Sequence, residues 1–356
     1  MPHTPAALLF AATALFAYTT FAADPGVMKS EFIYDRAPFP SCHASTICQL
    51  PDGRLAVAFF GGSDEGEKDV GIWLSTNDNQ GGAWTAPVEV ATGVTPEQDN
   101  RRFPCWNPVL FQPPAKAPLL LFYKIGPKPD AWWGMLKTSA DGGRTWSEPR
   151  RLGEGIIGPV KNKPVLLKDG VLLCGSSTEH AGWTVHMERT PDFGKTWEKS
   201  PTLNDGRKLR AIQPTILLGA GQDQADLRIL CRTEQGRIGQ STSSDGGRTW
   251  EPLSLTELPN PDSGIDGVTL KDGRNVLIYN PTTSGRTPLS VAVSDDGKAW
   301  KRGPDLEVEP GEYSYPAVIQ TGDGNVHVTY TWKRRKIRHV VLDVAHFKLT
   351  DAPAAK

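Results

Sequence analysis

Cysteine is scarce in this chain, and what there is does not make a disulfide framework. There are five cysteines, an odd number, so they cannot all pair. Cys42 and Cys48 lie on one expected strand, about 20 Å apart when extended, too far to bridge each other. Cys174 (VLLCG) and Cys231 (RILCR) sit at equivalent points of similar stretches, where a small core filler is expected. No Cys-x-x-Cys or His-x-His spacing occurs, so neither a metal nor another cofactor is expected. An excess of one charge is also missing: 39 Lys and Arg face 40 Asp and Glu, for a net charge of −1. That excludes a nucleic-acid binder relying on bulk positive charge. The apolar run Ala6–Ala17, broken only by Thr13, is too short to span a membrane. It is followed by TTFAADPG and reads as a secretory leader cut near Ala22, although no Lys or Arg precedes it. A secreted or periplasmic protein is therefore expected.

Turn formers are plentiful, with 36 Gly and 30 Pro, and long helical patterns are few. The stretch SADGGRTW (139–146) returns as TPDFGKTW (190–197), SSDGGRTW (243–250) and VSDDGKAW (293–300), with a degraded copy at 75–84. The period is roughly 50 residues, the range of propeller blades, each a sheet unable to bury its own faces. Each box reads as a tight turn. A Ser or Thr precedes an Asp that bonds the turn backbone, a Gly supplies unusual dihedrals, and a Trp folds back. Between the boxes run strands with a Pro or small residue near their start, opening at Cys42, Cys105, Asn162, Ile212, Ile265 and Tyr313. Six such strands imply six blades, with Asp-Gly hairpins joining the first strand of a blade to the second. The expected fold is all-β, a six-bladed propeller of four-stranded antiparallel blades forming one domain over 23–350. A terminal strand closes the ring, and 351–356 is a frayed tail.

In an up-and-down blade the first hairpin and the box turn share one end. The opening of the first strand and the exit of the second share the other, where the chemistry is expected. The openings supply His43, Asn107, Lys161, Gln213, Tyr313 and Tyr315. The exits supply Asp64 and Asp69, then Lys124, Glu179, Arg232 and Arg286. Cations among flat aromatics suit an anionic sugar, because Arg grips a carboxylate through two parallel hydrogen bonds.

The boxes and blade count resemble the sialidase (neuraminidase) superfamily in its bacterial-neuraminidase-repeat, or Asp-box, form. The resemblance implies an arginine triad that holds a carboxylate, a tyrosine nucleophile with a glutamate partner, and an aspartate acid/base. By motif, two of the arginines resemble Arg232 (RILCRTEQGR) and Arg286 (NPTTSGRTPL), and the nucleophile resembles Tyr313 (EYSYPAVIQ). The acid/base resembles Asp69 in GGSDEGEKDVGIW, with Asp64 as second choice. Two positions depart from the pattern. His43 stands where the first arginine belongs, and Gln213 stands in place of the glutamate. A neutral amide cannot accept the phenol proton as a carboxylate can.

The leading expectation is an exo-acting glycoside hydrolase on a terminal acidic sugar. Tyr313, Asp69 and His43 would be catalytic; Arg232, Arg286, Gln213, Lys124, Lys161, Asn107, Glu179 and Tyr315 would bind the glycan. The alternatives are a uronate-directed lyase on the same propeller, which accounts for His43 and Gln213, and a non-catalytic carbohydrate-binding propeller. No nucleic-acid or membrane partner is expected.

Overall fold

Runs of β-branched and aromatic residues bounded by Gly, Pro and Asp form the strands. In LAVAFFGG (Leu55–Gly62) every residue is buried, so both faces of this strand are covered. That pattern requires sheets stacked on both sides. The computed structural model describes residues 24–354 except 79–81, 96–98, 115–116 and 220–223, and it supplies those sheets. The expected leader lies outside the described residues.

Six antiparallel sheets follow one another along the chain. Their innermost strands are Ser41–Gln49, Cys105–Phe111, Val165–Leu166, Ala211–Leu218, Asp266–Thr269 and Tyr313–Gln320. Five sheets have four strands. Blade 5 gains a fifth, because Thr350–Asp351 pairs with Lys301 and Arg302 where the sequence suggested a frayed end. Blade 6 takes its outermost strand from the other end of the chain: Val27–Phe32 pairs antiparallel with Lys336–Leu342 and closes the ring. Closure leaves no blade without two neighbours.

The apolar core is accordingly divided into layers, one for each pair of adjacent blades. Phe60 and Leu121 share the layer between blades 1 and 2, Val109 and Leu172 that between 2 and 3, and Val185 and Ile229 that between 3 and 4. Leu230 and Leu277, Val291 and Val328, and Val57 and Ile337 mark the other three. All five cysteines are free and buried, with Cys174 and Cys231 filling two of these layers.

The boxes are the turns that the sequence implied. Asp141 Oδ1 accepts from Arg144 N at 3.0 Å and Thr145 N at 2.9 Å, and Ser139 Oγ accepts from Gly143 N at 2.8 Å. Trp146 Nε1 donates to Gly143 O at 3.1 Å, folding the indole against the layer between blades 1 and 2. Trp197 and Trp250 do the same one and two layers on, and Trp300 packs against the layer three on. The fourth box is one residue shorter than its alignment suggests: Ser294 and Asp296 are the capping pair, and Asp296 accepts from Lys298 N and Ala299 N. Burial and the bonds from Thr196 and Thr190 act in opposite senses on Asp192, and the bonds win, lowering its pKa to about 2.

A hydrogen-bonded chain of side chains fastens the closing strand. His327 Nδ1 lies 3.0 Å from His339 Nε2, and His339 Nδ1 lies 3.0 Å from Glu31 Oε1, which also accepts from Trp84 Nε1 at 3.0 Å. Burial first, then the neighbouring His339, lowers the pKa of His327 to about 4. Below the unfolded value near 6.5 the unfolded chain binds a proton that the folded chain refuses, so this contribution to stability is present above that pH and lost as pH falls. Unfolding free energy from urea titrations should drop by roughly 2 kcal/mol between about pH 7.5 and pH 5 on account of His327 alone. In His327→Phe that slope should shrink; an unchanged slope would remove His327 as its source.

Candidate active site

Four of the six innermost strands carry a bulge at the same place. Register with the second strand shifts between His43 and Thr46, Trp106 and Val109, Ile212 and Thr215, and Ser314 and Ala317. At each shift a non-glycine residue adopts a left-handed backbone: Ala44 (φ 57°), Asn107 (φ 32°), Gln213 (φ 58°) and Tyr315 (φ 52°). Each costs about 1–2 kcal/mol, and such positions concentrate at functional sites. A bulge also breaks the two-residue alternation of a strand, and this decides which tyrosine faces the axis.

It is Tyr315. Its hydroxyl accepts from Arg232 Nη1 at 2.8 Å and Gln213 Nε2 at 3.3 Å, its ring centroid lies 4.1 Å from that of His43, and Lys161 Nζ lies 5.8 Å from its ring centre. Tyr313 is placed elsewhere: it is 1% exposed in the apolar layer between blades 5 and 6, beside Trp332, with burial raising its pKa. Tyr313 therefore does not face the axis, because the bulge at Ser314–Ala317 shifts the inward parity by one residue.

Arg232 donates through Nε and Nη2 to Asp262 Oδ1 at 2.9 and 2.7 Å, and its guanidinium lies 5.1 Å from the Trp183 ring centre. Arg286 Nη1 donates to Glu312 Oε1 at 2.8 Å, and Arg334 Nε donates to the same oxygen at 2.6 Å. Arg334 Nη1 continues to Glu65 in the first-blade loop, tying blade 6 to blade 1. Neither Arg334 nor Glu312 was selected from the sequence. The run KRRK (333–336) resembles a solvated hairpin tip, yet it is the second-strand exit of blade 6, topologically equivalent to Arg232 and Glu179. Extending the strand-exit reading to the last blade would have found it.

His43 is 1% exposed, with Nδ1 2.9 Å from Thr331 Oγ1 and Nε2 without a partner among the described residues. Burial, then the charges of Arg334, Arg286, Arg232 and Lys161, holds its pKa well below the usual range, so it is neutral. The charges of all four cations thus act on one imidazole. Glu179 lies on the same face; burial, opposed by Arg232, raises its pKa. Asp69 is differently used: both oxygens accept from Ser63, from N at 2.9 Å and Oγ at 2.8 Å, in the exposed first-blade loop. Asp64 Oδ1 caps the same loop at Glu65 N, 2.8 Å away.

Two of the expected ligand-binding lysines point into backbone. Lys124 Nζ donates to the carbonyls of Asn107 at 3.3 Å, Pro159 and Val160 at 3.0 Å, and burial lowers its pKa to about 7. Its three donors are spent fastening blade 2 to blade 3, and Asn107 serves there through its carbonyl. Lys161 Nζ donates to Asn162 Oδ1 and Ile265 O, both at 2.8 Å, and to Pro316 O, crossing the axis directly beneath Tyr315. These lysines support the floor of the site and do not reach a ligand.

Within the ring, then, Tyr315, His43, Gln213, Arg232, Arg286, Arg334 and Glu179 converge on the end opposite the boxes. Against this geometry, residues 53–328 match the family model described as a BNR repeat-like domain. The chain belongs to that family. BNR-repeat relatives include a sialidase of Micromonospora viridifaciens, 27% identical over 208 residues, covering 53% of this chain. The chain spans 30% of that relative's length. The fold is shared with the NanB sialidase of Streptococcus pneumoniae (13% identity, TM-score 0.73, covering 89% of this chain and 71% of that one). It is likewise shared with the intramolecular trans-sialidase of Ruminococcus gnavus (13%, TM-score 0.71, 92% and 99%) and with a protein of unknown function from Dyadobacter fermentans (16%, TM-score 0.74, 90% and 99%). The BNR-repeat chain is thus a six-bladed member of the sialidase superfamily. No helix among its described residues is long and apolar enough to cross a membrane.

Proposed function

We propose that this chain is an exported exo-acting glycoside hydrolase that removes a terminal acidic sugar from a glycan. The observation that carries the reading is the Tyr315 hydroxyl, held by Arg232 at 2.8 Å beside His43, on which the charges of Arg286 and Arg334 also act. Arg286 and Arg334 share Glu312, and Arg232 keeps Asp262, so every cation is oriented before a ligand arrives. A carboxylate entering this ring meets oriented donors. Gln213 cannot take the phenol proton, and burial makes His43 a poor base. Tyr315 is therefore read as an oxygen set against positive charge developing at the anomeric carbon, with Glu179 the carboxyl that protonates the departing oxygen. Asp69 shapes the first-blade loop through Ser63.

The test is an assay of the purified protein on sialosides and on other keto-acid and uronic-acid glycosides, following released sugar. Release of the terminal acid supports the hydrolase. A second reading has its own support in the neutral His43 packed against Tyr315: a lyase on a uronate, in which the cations neutralise the carboxylate. Ultraviolet absorbance of an unsaturated product, without uptake of water, would select it. Saturable binding of acidic glycans without turnover of any of them would leave only the binding propeller.

A further inference from the structure

One hairpin of blade 6 carries four cations that the axial site does not use. It joins Val326–Trp332 to Lys336–Leu342, and its tip sends Arg334 inward to Glu312 and Glu65. Lys333, Arg335, Lys336 and Arg338 lie outside that network, and no ion pair reaches them among the described residues. Their neighbours are paired: Lys29 holds Glu31 at 2.9 Å, and Arg302 holds Asp305 at 2.7 Å.

Three of the four sit on aromatic rings, and strand register explains why. Arg338 is opposite Phe32 of the closing strand, Lys336 is opposite Trp332, and alternation puts Lys336 and Arg338 on one face. Both converge on the Phe32 ring, with the Lys336 ammonium 4.7 Å from its centre and the Arg338 guanidinium 4.5 Å from it. Ser30 Oγ fixes the guanidinium, accepting from Arg338 Nε at 2.9 Å. Lys333 lies 4.9 Å from the Trp332 ring centre, and Phe32 and Trp332 meet edge to face at 5.2 Å. A ring attracts each cation, yet it does not remove the repulsion between two of them. Glu307 and Glu309 of blade 5 act on Tyr313, which adjoins Trp332, and Glu307 accepts from Tyr330 Oη at 2.7 Å. Four cations against those two carboxylates leave two positive charges in excess. An anion from outside relieves both the excess and the crowding on Phe32.

We propose that this ledge is a docking surface for a sulfated polysaccharide, separate from the axial site and independent of what is cleaved there. A sulfate ester has three terminal oxygens, so one group can accept from both Lys336 and Arg338, and the next along the polymer meets Lys333 or Arg335. A lipid surface fits less well, because Ile337, the one large apolar side chain of 333–338, is fully buried. Nucleic acid also fits less well, since the Phe32 and Trp332 rings that would stack on bases already carry cations. At a net charge of −1 the chain has no bulk attraction for a polyanion, so binding reports a local patch.

The experiment titrates fluorescein-labelled heparin with the purified protein and follows anisotropy. The unaltered protein should bind at low salt and lose most of that binding as salt passes about 0.15 M. Lys336→Gln with Arg338→Gln should weaken binding about tenfold at fixed salt. Arg144→Gln with Lys298→Gln, which removes two charges from the box turns, should stay within about twofold. Arg286→Gln should likewise stay within about twofold, which separates the ledge from the axial ring. Lys333→Gln with Arg335→Gln, at the hairpin tip, serves if the strand variant does not fold. No binding by the unaltered protein, or an equal loss in the box-turn or axial variant, would overturn the proposal. Equal competition by single-stranded DNA or by phosphatidylserine vesicles would overturn it too, since the surface would then not select a sugar polymer.

Discussion

Replacing Tyr315 by Phe should lower kcat/KM on an acidic glycoside by about 10²–10³, while Tyr313→Phe should stay within about twofold of the unaltered protein. The two tyrosines are two residues apart on one strand, and simple alternation would give them the same surroundings. They differ because Tyr315 sits at the left-handed bulge residue and Tyr313 before it. Tyr315→Phe deletes the oxygen that Arg232 Nη1 and Gln213 Nε2 both donate to, leaving Arg232 Nη1 only the long bond to Gln213 Oε1 at 3.4 Å. Tyr313→Phe deletes a hydroxyl buried between blades 5 and 6, remote from every contact to Arg232. Steady-state kinetics on both variants, with thermal melts to show that each is folded, decide the matter. Equal activity of the two, or a loss confined to Tyr313→Phe, would return the axis to the other tyrosine.

The largest stability loss is expected from Asp266. This carboxylate is 1% exposed, and it gathers four blades around the axis. Oδ1 accepts from Thr215 Oγ1 of blade 4 at 2.7 Å, and Oδ2 accepts from Val318 N of blade 6 at 2.9 Å. Lys163, which precedes the inner strand of blade 3, reaches both oxygens at 3.2 and 3.0 Å and Gly267 O at 2.7 Å. Asp266→Ala leaves an ammonium, a hydroxyl and an amide facing a gap, and breaking a buried pair by removing one partner costs about 3–5 kcal/mol. Urea unfolding should show that loss. Lys163→Met with Asp266→Ala should recover part of it, because the uncompensated charge is then gone. A single variant within about 0.5 kcal/mol of the unaltered protein would show that the blades close without this hub.

How much of the site could be read before folding depended on the kind of signal. The positions of Arg232 and Glu179 could be placed at one end of their blades because a second strand ends at a near-fixed point of each repeat, whereas Arg286 lies in the loop beyond Tyr279. Gln213 and Tyr315 carried a further signal in Gln213-Pro214 and Tyr315-Pro316, with Asn107-Pro108 at the same place in blade 2. Aligning on those prolines, in place of counting alternation, equates Tyr315 with Gln213 and sets Tyr313 aside. Lys124 and Lys161 were beyond any repeat argument. A lysine at a strand opening or exit looks the same whether its ammonium meets water, a ligand or backbone carbonyls, and most of those carbonyls come from other blades. Arg334 was hidden for the converse reason, since a basic hairpin tip becomes part of a site only when Glu65 and Glu312 come to it from blades 1 and 6.

The order of residues by itself determined the six sheets, the box turns, and which end of each sheet carries charge, because all three follow from short-range turn chemistry repeated at a fixed period. Closure of the ring decided the rest: which tyrosine faces the axis, and which carboxylate or carbonyl each inward cation meets. Those depend on contacts between blades far apart in the chain, and a local pattern carries no distance between them.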